Sequence, residues 1–254
     1  MPEITTVRLL DEDPNERARR LQMRVQQEVR SNQLVPIYVT WTSDIPQAEA
    51  QAALQGVLDV TTASGQRREV FALGSQKFGR GEFSSTDWYA EKALEDQTLR
   101  RDVGYGLQIV PSNIIRLFHQ EPWQAQPHWE VFILNRDLNS GEADNNFVFG
   151  ETDVSFPASI QSIRRLTVEV TDPKLRASMV RRLLRHEVGH MFSLTYRSFN
   201  VEEKLGKHCT NICTMRQGMS VGEWAEQTLQ EENRGIHFCC DCLNELNASR
   251  FLRL

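Results

Sequence analysis

Residues 172–191 constrain this chain more than any other stretch. Asp172-Pro173 opens them with a residue favoured at a helix N-cap and a proline suited to the first turn. Leu175, Met179 and Leu183, with Val180, Leu184, Val188 and Met191, then recur at helical spacing. One face of this helix is therefore apolar and has to lie on a core or a sheet. Near its C-terminal end the helix reads Arg-His-Glu-Val-Gly-His-Met over 185–191. His186 and His190 are four residues apart, so both imidazoles can reach one ion. Zinc suits that pair, because it accepts imidazole and keeps a position open for water. Glu187, one residue on, can take a proton from that water without filling a ligand position, the role of a general base. The competing reading is a solvated helical face that carries His and Glu by chance. Gly189 costs the helix ~1 kcal/mol relative to alanine; a close backbone approach or tight packing would explain it, and so would chance.

The thiols carry a second pattern. All five cysteines, Cys209, Cys213, Cys239, Cys240 and Cys242, lie near the C-terminal end and none precedes position 209. Disulfide frameworks spread through small secreted domains, whereas an odd count gathered in one region points to metal. Cys239 and Cys242 form a CxxC knuckle, and Cys209 and Cys213 a C-x3-C pair. The two pairs together can make a closed, all-thiolate structural zinc site; buried free thiols or a redox pair are the alternative. Cys240 is the spare and could replace Cys239. His208, immediately before Cys209, is the leading candidate for the third ligand of the first ion, with Glu202, Glu203 or Glu223 as carboxylate replacements. His119, His128 and His237 read as ordinary surface or core histidines.

Upstream, strand and helix signals alternate, which suggests an α/β layer. Strands are expected over 5–10, 35–42, 57–62, 68–73, 129–135, 146–151 and 158–170, and helices over 14–30, 46–58, 113–119 and from Ser85 or Thr86 to about Val103. Ser64-Gly65 is expected to turn between two of the strands, and 74–85 and 139–146 to be loops. The natural division is an N-terminal α/β subdomain over 1–194, including the helix, and a Cys-rich subdomain over 195–254, within one compact unit.

The assembled motifs resemble the archaemetzincins, a branch of the metzincin metallopeptidases, whose signature runs HExxHxxGxxHC-x4-C-x-M-x17-C-x-x-C. The matching positions are His186, Glu187 and His190, then His208-Cys209, Cys213-Thr214-Met215 and Cys239 to Cys242. Residues 146–150 and 162–166 resemble the family's strand segments, and the resemblance covers about 129–246. Ser193 stands where the family has glycine, and Tyr196 where it has the third histidine. An insertion over 195–206 carries the third histidine on to His208. With Ser193, the turn after the helix is expected to be made differently. The resemblance implies an α/β (α+β), metzincin-like fold: a mixed, mostly parallel twisted sheet with packed helices, and a small Cys-rich, zinc-bound C-terminal subdomain. It implies two Zn2+ ions, one catalytic and one structural. Met215 would form the Met-turn beneath the first, with Met219 the second candidate. It further implies that residues 147–150 lie at a sheet edge where an extended peptide pairs, an ordinary buried strand being the alternative.

These readings meet in one expectation, a zinc-dependent metallopeptidase acting on a peptide or protein. The alternative is a non-catalytic, zinc-stabilised binding protein with a degenerate site. The formal net charge of -5 and pI of about 5.8 leave no basic footprint, so no nucleic-acid partner is expected. No segment approaches the ~20 apolar residues of a membrane span, and the N-terminus has no basic region leading into an apolar run. A cytoplasmic chain without a membrane partner is expected.

Overall fold

The fold is given by a computed structural model that describes residues 34–66, 68–75, 85–98, 100–120, 128–141, 146–153, 157–195, 200–203 and 206–248. The elements expected over 5–10 and 14–30, most of the 74–85 loop, part of the 139–146 loop and Tyr196 lie outside these residues. A five-stranded sheet forms the centre. Its strands are β1 (Ile37–Trp41), β2 (Val70–Gly74), β3 (Trp129–Leu134), β4 (Gly150–Asp153) and β5 (Ala158–Ser162), in the spatial order β2-β1-β3-β5-β4. β1 pairs in parallel with β2 and β3, and β3 with β5. Only the edge strand β4 runs antiparallel, in the register Gly150 to Gln161 and Asp153 to Ala158.

Period-two alternation divides the apolar side chains between two layers. Val39, Val131 and Ile133 join a core shared with α1 (Gln47–Ser64) and the long helix, while Phe132, Leu134 and Ile160 face Tyr89 of α2 (Thr86–Asp96) and Ile114 and Phe118 of α3 (Pro111–His119). Burial on both faces explains why β3 reads as a continuous apolar run. Two further elements lead to the C-terminal half: α4 (Arg164–Glu169) and α5 (Pro173–Met191), the helix of the HExxH motif. α1 and α5 touch closely at Gly56, where a Cβ would stand 2.4 Å from the Arg181 carbonyl oxygen. Beyond α5 come a hairpin of β6 (Val201–Glu203) and β7 (Lys207–Cys209), then α6 (Val221–Arg234) and α7 (Cys240–Ala248). Cys209, Cys213, Met215, Trp224 and Leu246 belong to the same apolar cluster as the sheet residues.

Four expected elements differ. Of the strand expected over 146–151 only Gly150 and Glu151 lie in one, β4, which runs on to Asp153. Residues 57–62 are helical, because α1 continues to Ser64; Val57 and Val60 are fully buried in the α1–α5 layer. Gly65, with φ +61°, is the left-handed C-cap of that helix and not a hairpin turn. The strand expected over 158–170 stops at Ser162, whose Oγ accepts from the Arg164 N–H and starts α4. There Leu166 is buried and Arg165 pairs with Asp137 at 2.8 Å. α2 ends at Asp96, well before Val103; Gln97 leaves the helix and donates from its side chain to the Gln108 carbonyl at 2.6 Å. The two capping expectations hold: the Ser85 and Asp172 side chains accept from the N–H groups of Trp88 and Lys174. Among the described residues no helix is long and apolar enough to cross a membrane.

Candidate metal centres and cleft

The C-terminal end of α5 carries the first cluster. His186 and His190 point the same way from one helical turn, and the β6–β7 hairpin returns His208 against them. The three ring centroids form a near-equilateral triangle with sides of 4.9, 5.1 and 5.1 Å. One ring nitrogen from each lies within 4.8 Å of the others.

The tautomers follow from the acceptors. His186 Nδ1 is 2.8 Å from the Thr214 carbonyl oxygen, and His208 Nδ1 is 3.2 Å from that of Gly206. A carbonyl only accepts, so each Nδ1 carries the proton and each Nε2 is left with a lone pair. His186 Nε2 and His190 Nε2 then face one another at 3.3 Å. Nitrogens ~2.0–2.1 Å from a tetrahedral zinc lie about 3.3 Å apart. Burial holds the His190 imidazole down to about 3, and His186 well below its ordinary value, so both are neutral, the form that binds metal. Three ring nitrogens converging at this spacing fit a shared cation, and the trio fits zinc.

Glu202, Glu203 and Glu223 are not in that cluster. Glu202 and Glu203 are exposed on β6, and the Glu223 carboxylate accepts from the Met219 N–H at 2.7 Å.

Glu187 sits beside the triangle, under β4. Its Oε2 accepts from the Thr152 hydroxyl at 2.9 Å. Burial raises its carboxyl to about 7, with the Thr152 hydrogen bond pulling the other way. Gly150 leaves room for it: a Cβ there would lie 2.6 Å from Glu187 Cδ. Gly150 and Thr152 thus place the carboxylate. Thr152 left no trace in the sequence, but a glycine inside a strand signals close approach.

Gly189, inside the motif, makes room for another side chain. A Cβ there would stand 2.4 Å from Met215 Sδ, and Met215 is fully buried. Met215 therefore packs directly under the motif, whereas Met219 lines the cleft. The exit from α5 keeps the glycine-type turn despite Ser193, which adopts φ +59°. Leu194 N–H donates to the Gly189 carbonyl at 3.1 Å and Ser193 N–H to that of His190 at 2.8 Å, the paired bonds of a Schellman motif. The turn expected to differ is thus made in the usual way, with serine in the left-handed position.

The thiols form a second cluster. Sγ atoms of Cys209, Cys213, Cys239 and Cys242 lie within 4.8 Å of one another. Cys209 and Cys239 are 3.7 Å apart, too far for a disulfide; sulfurs ~2.3 Å from a tetrahedral zinc stand about 3.8 Å apart. Hydrogen bonds from Cys213 hold the Cys239 thiol down at about 6. Cys239 also accepts from Asn211 Nδ2, and Cys213 from the Cys239 N–H, both at 3.4 Å. Cys240 is exposed and points to Asp241, outside the cluster.

The imidazole triangle and Glu187 open into a cleft of about 840 Å³ between β4 and the segment that leads into α6, lined also by Phe147, Thr195, Lys207, Met219 and Trp224. No protein-family model matches the sequence, and no curated protein does. Among solved structures, the archaemetzincin of Methanopyrus kandleri is similar with a TM-score of 0.57 at 18% identity, over 88% of this chain and 98% of that one. The fold is that of an archaemetzincin. Matches also occur to an archaemetzincin of Archaeoglobus fulgidus complexed with malonate (TM-score 0.48, 21% identity, 83% of this chain and 99% of that one) and to a zinc-dependent peptidase of Methanocorpusculum labreanum (0.47, 16%, 83% and 100%). Of residues 195–206, where the sequence suggested an insertion, Val201–Glu203 form β6, and its partner β7 carries His208 back to the helix.

Proposed function

We propose that this chain is a zinc-dependent metallopeptidase that hydrolyses peptide bonds in its β4 cleft, with Glu187 as general base. The observation that carries the reading is the joint placement of three imidazoles and a buried carboxylate in one open cleft. His186, His190 and His208 would hold a catalytic zinc, and Cys209, Cys213, Cys239 and Cys242 a structural one. When bound, zinc supplies Lewis acidity, acidifying a water and polarising a carbonyl.

The chain's own residues do the rest. Glu187 takes the water's proton on its carboxylate and hands it to the leaving amine. Thr152 orients that carboxylate through its hydroxyl. Met215, packed on Gly189, gives the helix end a fixed apolar floor. Among the described residues β4 pairs only with β5, so an extended peptide could add to its other edge and lay its scissile bond over the imidazoles. Thiols gathered for metal and left unbridged suit the cytoplasm. The reading also keeps the division at 194/195, with zinc organising the C-terminal part.

Replacing Glu187 by Gln is expected to abolish cleavage of a peptide library while zinc content stays at two ions per chain. Cleavage retained by Glu187→Gln would defeat the assignment of the base.

A further inference from the structure

One turn before His186, the same helix buries an arginine. Arg182 has no exposed surface. Its Nε is 2.5 Å from Glu231 Oε1 of α6, and its guanidinium lies 3.8 Å over the Trp224 ring. Its Nη2 sits 2.8 Å from Gln227 Oε1, 3.0 Å from the Arg216 carbonyl oxygen and 3.3 Å from that of Thr214. Glu231 is as buried. Its second oxygen accepts from the Thr214 hydroxyl at 2.6 Å and from Arg185 at 3.4 Å.

The pair therefore grips Thr214 at two of its three polar groups, the hydroxyl through Glu231 and the carbonyl through Arg182, while its N–H donates to the His237 carbonyl at 2.7 Å. That carbonyl is the acceptor for His186 Nδ1. Thr214 is flanked by Cys213, a member of the thiol cluster, and by Met215, whose carbonyl accepts from the Cys209 N–H at 2.9 Å. Segment 213–216 thus touches both clusters, and beside its backbone hydrogen bonds to Cys209 and His237 it is held by one buried cation and one buried carboxylate.

Stability alone is a weak reason for such a pair. Desolvating two charges costs several kcal/mol per ion, and an apolar replacement of both is often neutral or better. What an apolar pair could not do is fix the direction of a carbonyl. A metal-ligating imidazole needs its other nitrogen held, because that bond sets the tautomer and ring orientation.

We propose that Arg182 and Glu231 are positioning residues for the imidazole centre, acting through the main chain of Thr214 on His186. This rests on the metal reading of that centre. Neither side chain touches the ion or the substrate. Loss of Glu231 leaves the Thr214 hydroxyl without its acceptor and frees Arg182 to shift, so the carbonyl drifts and His186 loses its fixed orientation. Removal of a group in this position behind a histidine ligand weakens metal binding by about 10- to 100-fold.

The test is a cobalt titration of the metal-stripped full-length protein, because cobalt reports the two centres separately. Thiolate ligation gives intense charge-transfer bands beside strong ligand-field bands, whereas imidazole ligation gives only weaker ligand-field bands, so the imidazole centre is read from ligand-field absorption that rises without charge transfer. Glu231→Gln is expected to weaken cobalt at the imidazole centre about 10- to 100-fold with the thiolate titration unchanged. Thr214→Val, which removes only the gripped hydroxyl, is expected to weaken it in the same direction by less, and serves if Glu231→Gln does not fold. Glu231→Asp is expected to restore part of the affinity. Arg181→Met, which breaks an outer ion pair with Asp59 and touches neither Thr214 nor His186, is expected to lower the melting temperature without changing the ligand-field titration. Unchanged imidazole-centre affinity in folded Glu231→Gln or Thr214→Val overturns the proposal. So does equal weakening of both centres. Absence in the unmodified protein of ligand-field absorption beyond that of the thiolate centre would remove the imidazole centre itself, and this inference with it.

Discussion

Serine at 193 holds φ +59° where a side chain is disfavoured. Left-handed backbone costs a non-glycine residue about 1–2 kcal/mol, while glycine costs about 0.4–1 kcal/mol through the entropy of the unfolded chain. The first term is the larger, so Ser193→Gly is expected to stabilise by about 0.5–1 kcal/mol, read as a higher denaturant midpoint with an unchanged slope. The glycines at 189 and 150 behave oppositely. Gly189→Ala gains ~1 kcal/mol of helix propensity but drives a methyl into Met215 Sδ, and overpacking costs about 1–3 kcal/mol. Net destabilisation is expected, and Met215→Ala in the same chain should recover part of it as a coupling in a double-mutant cycle. Gly150→Ala meets the Glu187 carboxylate instead. It is expected to lower kcat while zinc content holds; loss of zinc with unchanged kcat per loaded site would contradict the role given to Gly150.

The elements that were legible are those where several local signals agree. For α5, the Asp172 cap, Pro173 and the apolar repeat all point to one helix, and the same stretch carries two of the three clustered histidines. The misread stretches are those where composition and packing disagree. Val57, Val60 and Thr61 look like a strand because they are β-branched, yet their burial against α5 holds them in a helix. The residues that steady the site, Thr152, Thr214 and Glu231, were invisible because hydroxyls and a lone carboxylate have no period; only the fold shows what they face. The β6–β7 hairpin is equally local in its cause, since three-residue strands leave little pattern. The α1–α5 joint offers a pH test. Burial opposes ionisation of Asp59, but hydrogen bonds from Arg181, Gln55 and Arg185 outweigh it and leave its carboxyl below the ordinary value. A depressed carboxyl stabilises above its unfolded value of about 3.9 and stops doing so as the pH falls through the folded value. Asp59→Asn is therefore expected to lower the melting temperature at neutral pH, with the gap closing in acid below about pH 4. A gap that widens in acid would contradict this.

At the scale of the whole molecule, the two clusters share their supports. His208 and Cys209 are neighbours on β7, and Cys213, Thr214 and Met215 follow one another through both sites. The dependence is not symmetrical. The imidazole centre takes two of its three histidines from α5, a helix with its own apolar core contacts. The thiol cluster draws every member from the chain beyond β6, from β7, the turn after it and the start of α7. Structural zinc supplies folding free energy outright in such segments. Cys242→Ser, at a fully buried thiol, is therefore expected to loosen β7 and the 213–216 segment together, releasing His208 and the Thr214 carbonyl. Zinc content should fall from two ions toward none, and the melting temperature should drop. His186→Ala, by contrast, should lose one ion and keep the thiol site filled. Metal analysis after gel filtration separates the cases: one full zinc equivalent retained by Cys242→Ser, still bound at the histidines, would show that the imidazole centre stands without the thiol cluster beneath it.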